Sequence, residues 1–418
     1  ISLAGILFWG IVLRLREGAR ANIVTVVTAL VVGLYMVEGG LTLLGMGQRH
    51  HATTTAAAAA AAELGVEYDE RTRLEVVEDL IAEGVDAVPT VQPSSLIRQF
   101  GVSKESIHAL LPLGGVSNKT TVYDNESGKY LVYESDRYGF NNPDSEWDSR
   151  EVDWLLTGDS FTYGASVQPG QEIAGQLRSI TGNSTINLGI SGNGPLLEYA
   201  ELIEYGTTLK PAKVLWIYFE GNDLADFQVE QTNLLLMQYM EDGFSQNLIS
   251  RQKEIDSRLG KYIVSAQAQA HLVFLKAQAQ LYNTRWIRLY AIRNIIGFDV
   301  DVDVDVDVDH PLFSKILTKA KARVETWGGE LYFVYLPEYS RYKNKYVSHN
   351  SFRKKAEVIE VAKGLDIPVI DIHQEVFASH PDPLALFPFR LVGHYNADGY
   401  SEVAKAIVTS VNKYEQSN

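Results

Sequence analysis

Four short stretches hold residues whose types and places suit acyl-transfer chemistry. In "LLTGDSFTYG" (155–164), Ser160 follows an apolar run and precedes a helical pattern. A serine at such a strand end presents its hydroxyl, and nearby main-chain N–H groups can hold an oxyanion. In "INLGISGNGP" (186–195), Gly192 has no side chain to keep a substrate from its N–H. In "FEGND" (219–223), Asn222 can donate a side-chain N–H to the same oxyanion. In "LFPFRLVGHYNADGY" (386–400), His394 stands at the mouth of a helix start, placed to take the Ser160 proton as a base. Each stretch also has a plainer reading, because serine caps helices and Gly and Asn favour turns.

The elements that would position these residues are legible from Val152 onward. "VDWLLTG" reads as a short buried strand, "STINLGISG" as strand then loop, and "KVLWIYFEGND" as a buried strand then loop. Further strands are expected at "ELYFVYLP" (330–337) and "IPVIDI" (367–372). Helical patterns fall at 170–180, at "LLEYAELIEYG" (196–206), and at 312–327, 350–363 and 398–413. Strands alternating with helices predict a parallel sheet with helices on both faces. Sites in such sheets gather at the carboxyl ends of the strands. Three of the four stretches lie at those ends, and the fourth precedes the last helix.

Taken in this order, Ser160, Gly192, Asn222 and His394 resemble the four named residues of the SGNH (GDSL-like) hydrolase superfamily. The resemblance covers residues 152–413. The flanks "RYGFNNP" (137–143), "YFEGNDL" (218–224) and "VYLPEYSRY" (334–342) are similar to a membrane-anchored bacterial branch of it. That branch implies a flavodoxin-like three-layer α/β/α domain with a central parallel sheet, held outside the cytoplasmic membrane. The resemblance implies a serine esterase working through an acyl-enzyme on Ser160. Its oxyanion would be held by the Ser160 and Gly192 N–H groups and the Asn222 amide, with His394 moving the protons. Asp159 is expected to brace the loop. No metal or organic cofactor is implied. The substrate class is an ester, with O-acetyl groups on an envelope or exported polysaccharide as the form considered. Two rivals stay open: an O-acetyltransferase with a glycan hydroxyl replacing water, and a non-catalytic carbohydrate-binding or assembly protein on a hydrolase fold.

The sequence departs from the family twice. Gly221 directly precedes Asn222, where many members have one residue between. The aspartate expected two or three residues before the histidine is absent, and Val392 and Leu391 stand there instead. The expectation is therefore a Ser160–His394 dyad, with Asp371 or Asp382 as the alternative third member.

Composition bounds the rest. The 418 residues carry a net charge of −15, which argues against nucleic acid as a partner. There is no cysteine, so disulfides and thiolate chemistry are excluded. Residues 1–47 read as a membrane anchor region. Ile1–Leu13 suits a truncated span, an arginine loop follows with Arg14, Arg16 and Arg20, and one full transmembrane helix is expected at about 22–46. Glu38 is expected near the far interface, within reach of water. The arginines predict the cytoplasmic side, which places the catalytic domain in the periplasm or outside the cell. A buried hairpin in a soluble protein is the alternative. Residues 48–150 read as linker and collar, with an alanine-rich spacer at 52–65, an amphipathic helix at 69–83 and two short strands within 115–135. Residues 151–418 read as the hydrolase-like domain, with a helical insertion at about 228–297. The Asp–Val repeat at 299–310 reads as a solvated acidic loop.

Overall fold

The computed structural model describes residues 11–43, 49–100, 110–277, 289, 292, 310–343 and 350–417. It divides into two compact units, Ile1–Ala56 with Ala268–Asp301, and Ala57–Gln267 with Val302–Asn418.

In the first unit, residues Glu17–Leu43 form one helix. Its Glu17–Leu41 stretch is 25 residues long and has a mean hydropathy of 1.9 over an 18-residue window, long and apolar enough to cross a bilayer. Leu30, Met36 and Val37 are exposed along it. Glu38 differs from the expected water-facing placement: it is fully buried, and its Oε2 accepts the main-chain N–H of Ile292 at 2.8 Å. A carboxylate in an apolar setting needs such a donor. The Asp–Val repeat lies outside the described residues except for His310, which opens a helix (His310–Glu325).

Among the described residues the second unit has eight strands: β1 (Ala87–Pro89), β2 (Thr120–Val122), β3 (Val132–Glu134), β4 (Trp154–Thr157), β5 (Thr185–Asn187), β6 (Lys213–Phe219), β7 (Glu330–Leu336) and β8 (Val369–Asp371). The last five form one parallel sheet in the order β5-β4-β6-β7-β8. Counted within the sheet, this is the 2-1-3-4-5 order of a flavodoxin-like fold, whose switch point lies between β4 and β6. The strands are near-continuous apolar runs because both faces are covered. Alternation sorts their side chains: Leu155, Val214, Trp216, Phe333 and Tyr335 join one core, and Trp154, Leu156, Leu215, Ile217, Tyr332 and Val334 join the other. The first core includes side chains of helices Pro195–Glu201, His310–Glu325 and Asn350–Gly364. The second includes those of Ile173–Thr181 and Ala397–Ser417. The three layers expected from the alternating pattern are thus present.

The collar is bound into this unit by its own apolar residues. β1, β2 and β3 make a small sheet, β1 parallel and β3 antiparallel to β2. Helix Arg73–Ala82 packs on it through Val76 and Val77, and starts at a capping box formed by Thr72 and Glu75. Leu96, Ile97, Leu111, Tyr123, Tyr133 and Phe140 extend the first core of the main sheet. Within the expected insertion, helices Asp223–Glu230, Leu234–Met237 and Gln252–Ala277 are described. One expected helix is not uniform. Residues Pro195–Glu201 are α-helical, but Leu202–Gly206 widen to a π-turn.

Candidate active site

Ser160 is the first residue of a short helical turn after β4. Asp159 caps that turn, its Oδ1 accepting the Phe161 N–H at 2.9 Å. Gly158 is required just before it, since a Cβ there would meet Thr162 Oγ1 at 2.2 Å and the Ile217 carbonyl at 2.8 Å. The Ser160 Oγ lies 2.7 Å from His394 Nε2 and 3.2 Å from Asp159 Oδ2. The chain separation of these partners is 234 residues, closed by the fold alone.

His394 is seated on three sides. Its ring lies 4.6 Å from that of Phe161, which in turn stacks on Phe219 at 4.0 Å. Its Nε2 faces Ser160. Its Nδ1 faces Glu126 Oε1 at 2.9 Å, and its main-chain N–H donates to Glu126 Oε2 at 2.8 Å. With Nδ1 carrying the proton, Nε2 is left as the acceptor that a base needs. Gly393 makes the approach possible, because a Cβ there would sit 2.6 Å from Glu126 Oε2.

This arrangement corrects the expectation of a dyad, and also its alternative. The acid beside His394 is Glu126, not an aspartate from the final third of the chain. Asp371 pairs with Lys355 at 2.7 Å, and Asp382 pairs with Arg390 at 2.8 Å. Both carboxylates are satisfied by local cations.

Glu126 sits in the turn joining β2 to β3, and that turn is locked by its neighbours. Asn125 Oδ1 accepts the Gly128 N–H at 2.8 Å, and its Nδ2 donates to the Asp69 carbonyl at 2.8 Å. The Asp69 N–H donates to the Gly128 carbonyl at 2.8 Å, and Gly128 has a φ of +99°. The side chain of Asn125 thus serves the turn itself, as Asx residues do, and Glu126 is left projecting.

The charges agree with this pairing. Burial pushes the Glu126 carboxyl up, but the charge of His394 and the bonds from it outweigh burial and hold it below the usual range. Burial pushes the His394 imidazole down, but the Glu126 charge and hydrogen bond, with Asp159 and Asp124, hold it above its usual value. Each group favours the charged form of the other.

Gly192 and Asn222 lie in the loops after β5 and β6, the two strands that flank β4. They therefore stand on either side of the Ser160 loop. Gly192 has a φ of +77°, and a Cβ on it would meet Ser94 Oγ at 2.7 Å. The next residue back, Ser191, is held by the Tyr123 hydroxyl at 2.8 Å and by Gln92 Nε2 at 3.0 Å. Asn222 precedes helix Asp223–Glu230, and its Nδ2 donates to Asp226 Oδ2 at 2.8 Å. Burial raises the Asp226 carboxyl to about 6, against the pull of Arg98 and Asn222. Beneath these loops the carboxyls of Glu198, Glu201 and Asp223 are fully buried, and burial pushes each of them well up.

Sequence reasoning placed Ser160, Gly192, Asn222 and His394 at this end of the sheet and missed Glu126. One signal was present. In "DNESGK" (124–129) the turn is explained by Asn125 and Gly128, while Glu126 has no turn role.

No family model matches the sequence, and no curated protein matches it. Several solved structures resemble the chain. A lipolytic protein of the G-D-S-L family from Desulfitobacterium hafniense DCB-2 has 12% identity and a TM-score of 0.36, over 62% of this chain and 99% of the other. The lipase/acylhydrolase from Enterococcus faecalis has 13% identity and a TM-score of 0.36, over 63% and 96%. Axe2, an acetylxylan esterase from Geobacillus stearothermophilus, has 14% identity and a TM-score of 0.34, over 62% and 94%.

Proposed function

We propose that this chain is a serine esterase of the SGNH type, with Ser160 as nucleophile, His394 as base and Glu126 as the carboxylate that orients the base and stabilises its positive charge. The observation that carries the reading is the continuous relay from Glu126 through both nitrogens of His394 to Ser160, with spacings of 2.9 and 2.7 Å. Ser160 Oγ attacks the ester carbonyl while its proton passes to His394 Nε2. The oxyanion is held by the main-chain N–H groups of Ser160 and Gly192 and by the Asn222 amide. His394 then protonates the leaving alcohol as the ester C–O bond breaks. Water, deprotonated by the same nitrogen, releases the acid from Ser160. An intact relay speaks against the reading of a retired, non-catalytic fold, whose main motive was the missing acid.

Labelling with a fluorophosphonate probe and mapping the modified peptide tests this. The label is expected on Ser160 and absent from Ser160→Ala. Wild-type turnover by a folded Ser160→Ala protein overturns the assignment. The proposed substrate class is O-acetyl groups on a glycan; the resemblance of the flanking motifs does not itself identify it. Incubating the enzyme with an acyl donor and glycans, then weighing both free acid and acylated glycan, separates hydrolysis from transfer. The apolar helix Glu17–Leu43 is proposed as the membrane anchor, with Arg14, Arg16 and Arg20 at its start cytoplasmic and the catalytic domain outside. A C-terminal reporter active only in the cytoplasm refutes that topology.

A further inference from the structure

An asparagine that stabilises an oxyanion has a problem of its own: its amide can turn over, and then it presents an oxygen where a donor is needed. Asn222 lies on the loop after β6 with its Oδ1 buried and without a hydrogen-bond partner among the described residues. Nothing on that side fixes the amide. On the other side, Nδ2 donates to Asp226 Oδ2 at 2.8 Å, one helical turn along. The second carboxylate oxygen of Asp226 accepts from Arg98 Nη2 at 3.0 Å. The Asp226 side chain is 11% exposed, whereas the Arg98 side chain is 57% exposed. Arg98 comes from helix Pro93–Phe100 of the collar, which also carries the Ser94 hydroxyl packed against Gly192.

We propose that Asp226, held by Arg98 of the collar, is the positioning residue of the oxyanion hole: by accepting one Nδ2–H of Asn222 it fixes the amide so that the other N–H faces the reacting oxygen. A carboxylate beside a developing anion would otherwise be an unfavourable choice. Its pairing with Arg98 neutralises it, and its bond to the amide gives it a use. This inference rests on the esterase reading of the same site.

The test is a set of variants assayed for hydrolysis of 4-nitrophenyl acetate. Asp226→Ala is expected to lower kcat with little change in KM, by up to the ~10²–10³-fold that an oxyanion donor is worth. Asp226→Asn keeps one acceptor oxygen; unlike a main-chain N–H, the exposed Arg98 side chain can turn to water and leave that oxygen to the Asn222 N–H, so most of kcat is expected back. In an Asn222→Ala background, Asp226→Ala is expected to cost nothing further, because the group it positions is gone. The exposed Arg98 is left to water, so truncation strands no buried charge; isosteric Asp226→Leu is the second variant should the alanine protein fail to fold. Wild-type kcat in Asp226→Ala or Asp226→Leu overturns the proposal. So does a full additional loss in the double variant, or an Asp226→Asn protein as slow as Asp226→Ala. Ser160→Ala is run alongside. If it keeps turnover, the esterase reading fails and this inference with it; if it is dead while the Asp226 variants are unimpaired, only this inference fails.

Discussion

Replacing Glu126 by glutamine should be worse than replacing it by alanine. Glu126 accepts two donors at once, the Nδ1–H and the main-chain N–H of His394. Glutamine has one acceptor oxygen for the two. The main-chain N–H is always a donor, so it claims that oxygen, and the NH₂ group is turned toward Nδ1. Nδ1 must then act as acceptor, which forces the proton onto Nε2, the wrong tautomer for taking a proton from Ser160. An acid-to-amide change of this kind costs ~10⁴ in kcat, or about 5 kcal/mol of barrier. Alanine imposes no tautomer. The Glu126 side chain is 28% exposed, so water can reach the space it leaves and accept from Nδ1. Steady-state kcat and kcat/KM on a small activated ester, measured across pH, check the argument. The acid limb of kcat/KM reports the pKa of His394 in the free enzyme. The Glu126 charge holds that pKa up. In Glu126→Ala the limb should therefore move to lower pH, even as the plateau falls. A glutamine variant within tenfold of wild type would refute the role of Glu126. An alanine variant slower than the glutamine one would refute the tautomer argument.

Other outcomes follow from the same geometry. Asp371→Asn and Asp382→Asn should leave kcat unchanged, since these carboxylates pair with Lys355 and Arg390; a loss matching that of His394→Ala in either would show a different acid at work. Gly192→Ala should lower stability in denaturant melts by about 1–2 kcal/mol for the left-handed backbone alone. Adding Ser94→Ala should relieve only the part due to the 2.7 Å contact, so full recovery in the double variant would refute the backbone argument.

The parallel sheet was legible because its strands are apolar runs separated by helical periods, and period is what a sequence displays directly. Ser160, Gly192 and Asn222 were legible because strand ends in such a sheet mark one edge of the molecule. His394 was legible from its place before the last helix. Glu126 was not, for a physical reason. It lies 268 residues from His394, in a segment whose turn residues account for themselves. Contacts between segments far apart in the chain leave no periodic trace. The π-turn at Leu202–Gly206 escaped for a different reason: a single extra residue per turn scarcely alters the spacing of apolar positions.

The source of Glu126 bears on what can be moved between proteins. On the proposed assignment, the three-layer sheet from Val152 onward holds the nucleophile, the base and both oxyanion loops, and by architecture it passes for a complete module. Its acid, the hydroxyl against Gly192 and the arginine behind Asn222 all arrive from residues before it. A recombination that inherits only the sheet would carry away a well-packed domain with an unguided histidine. If Glu126 is the acid of the site, the unit that must move together is longer than the sheet, and its boundary lies ahead of the β2–β3 turn.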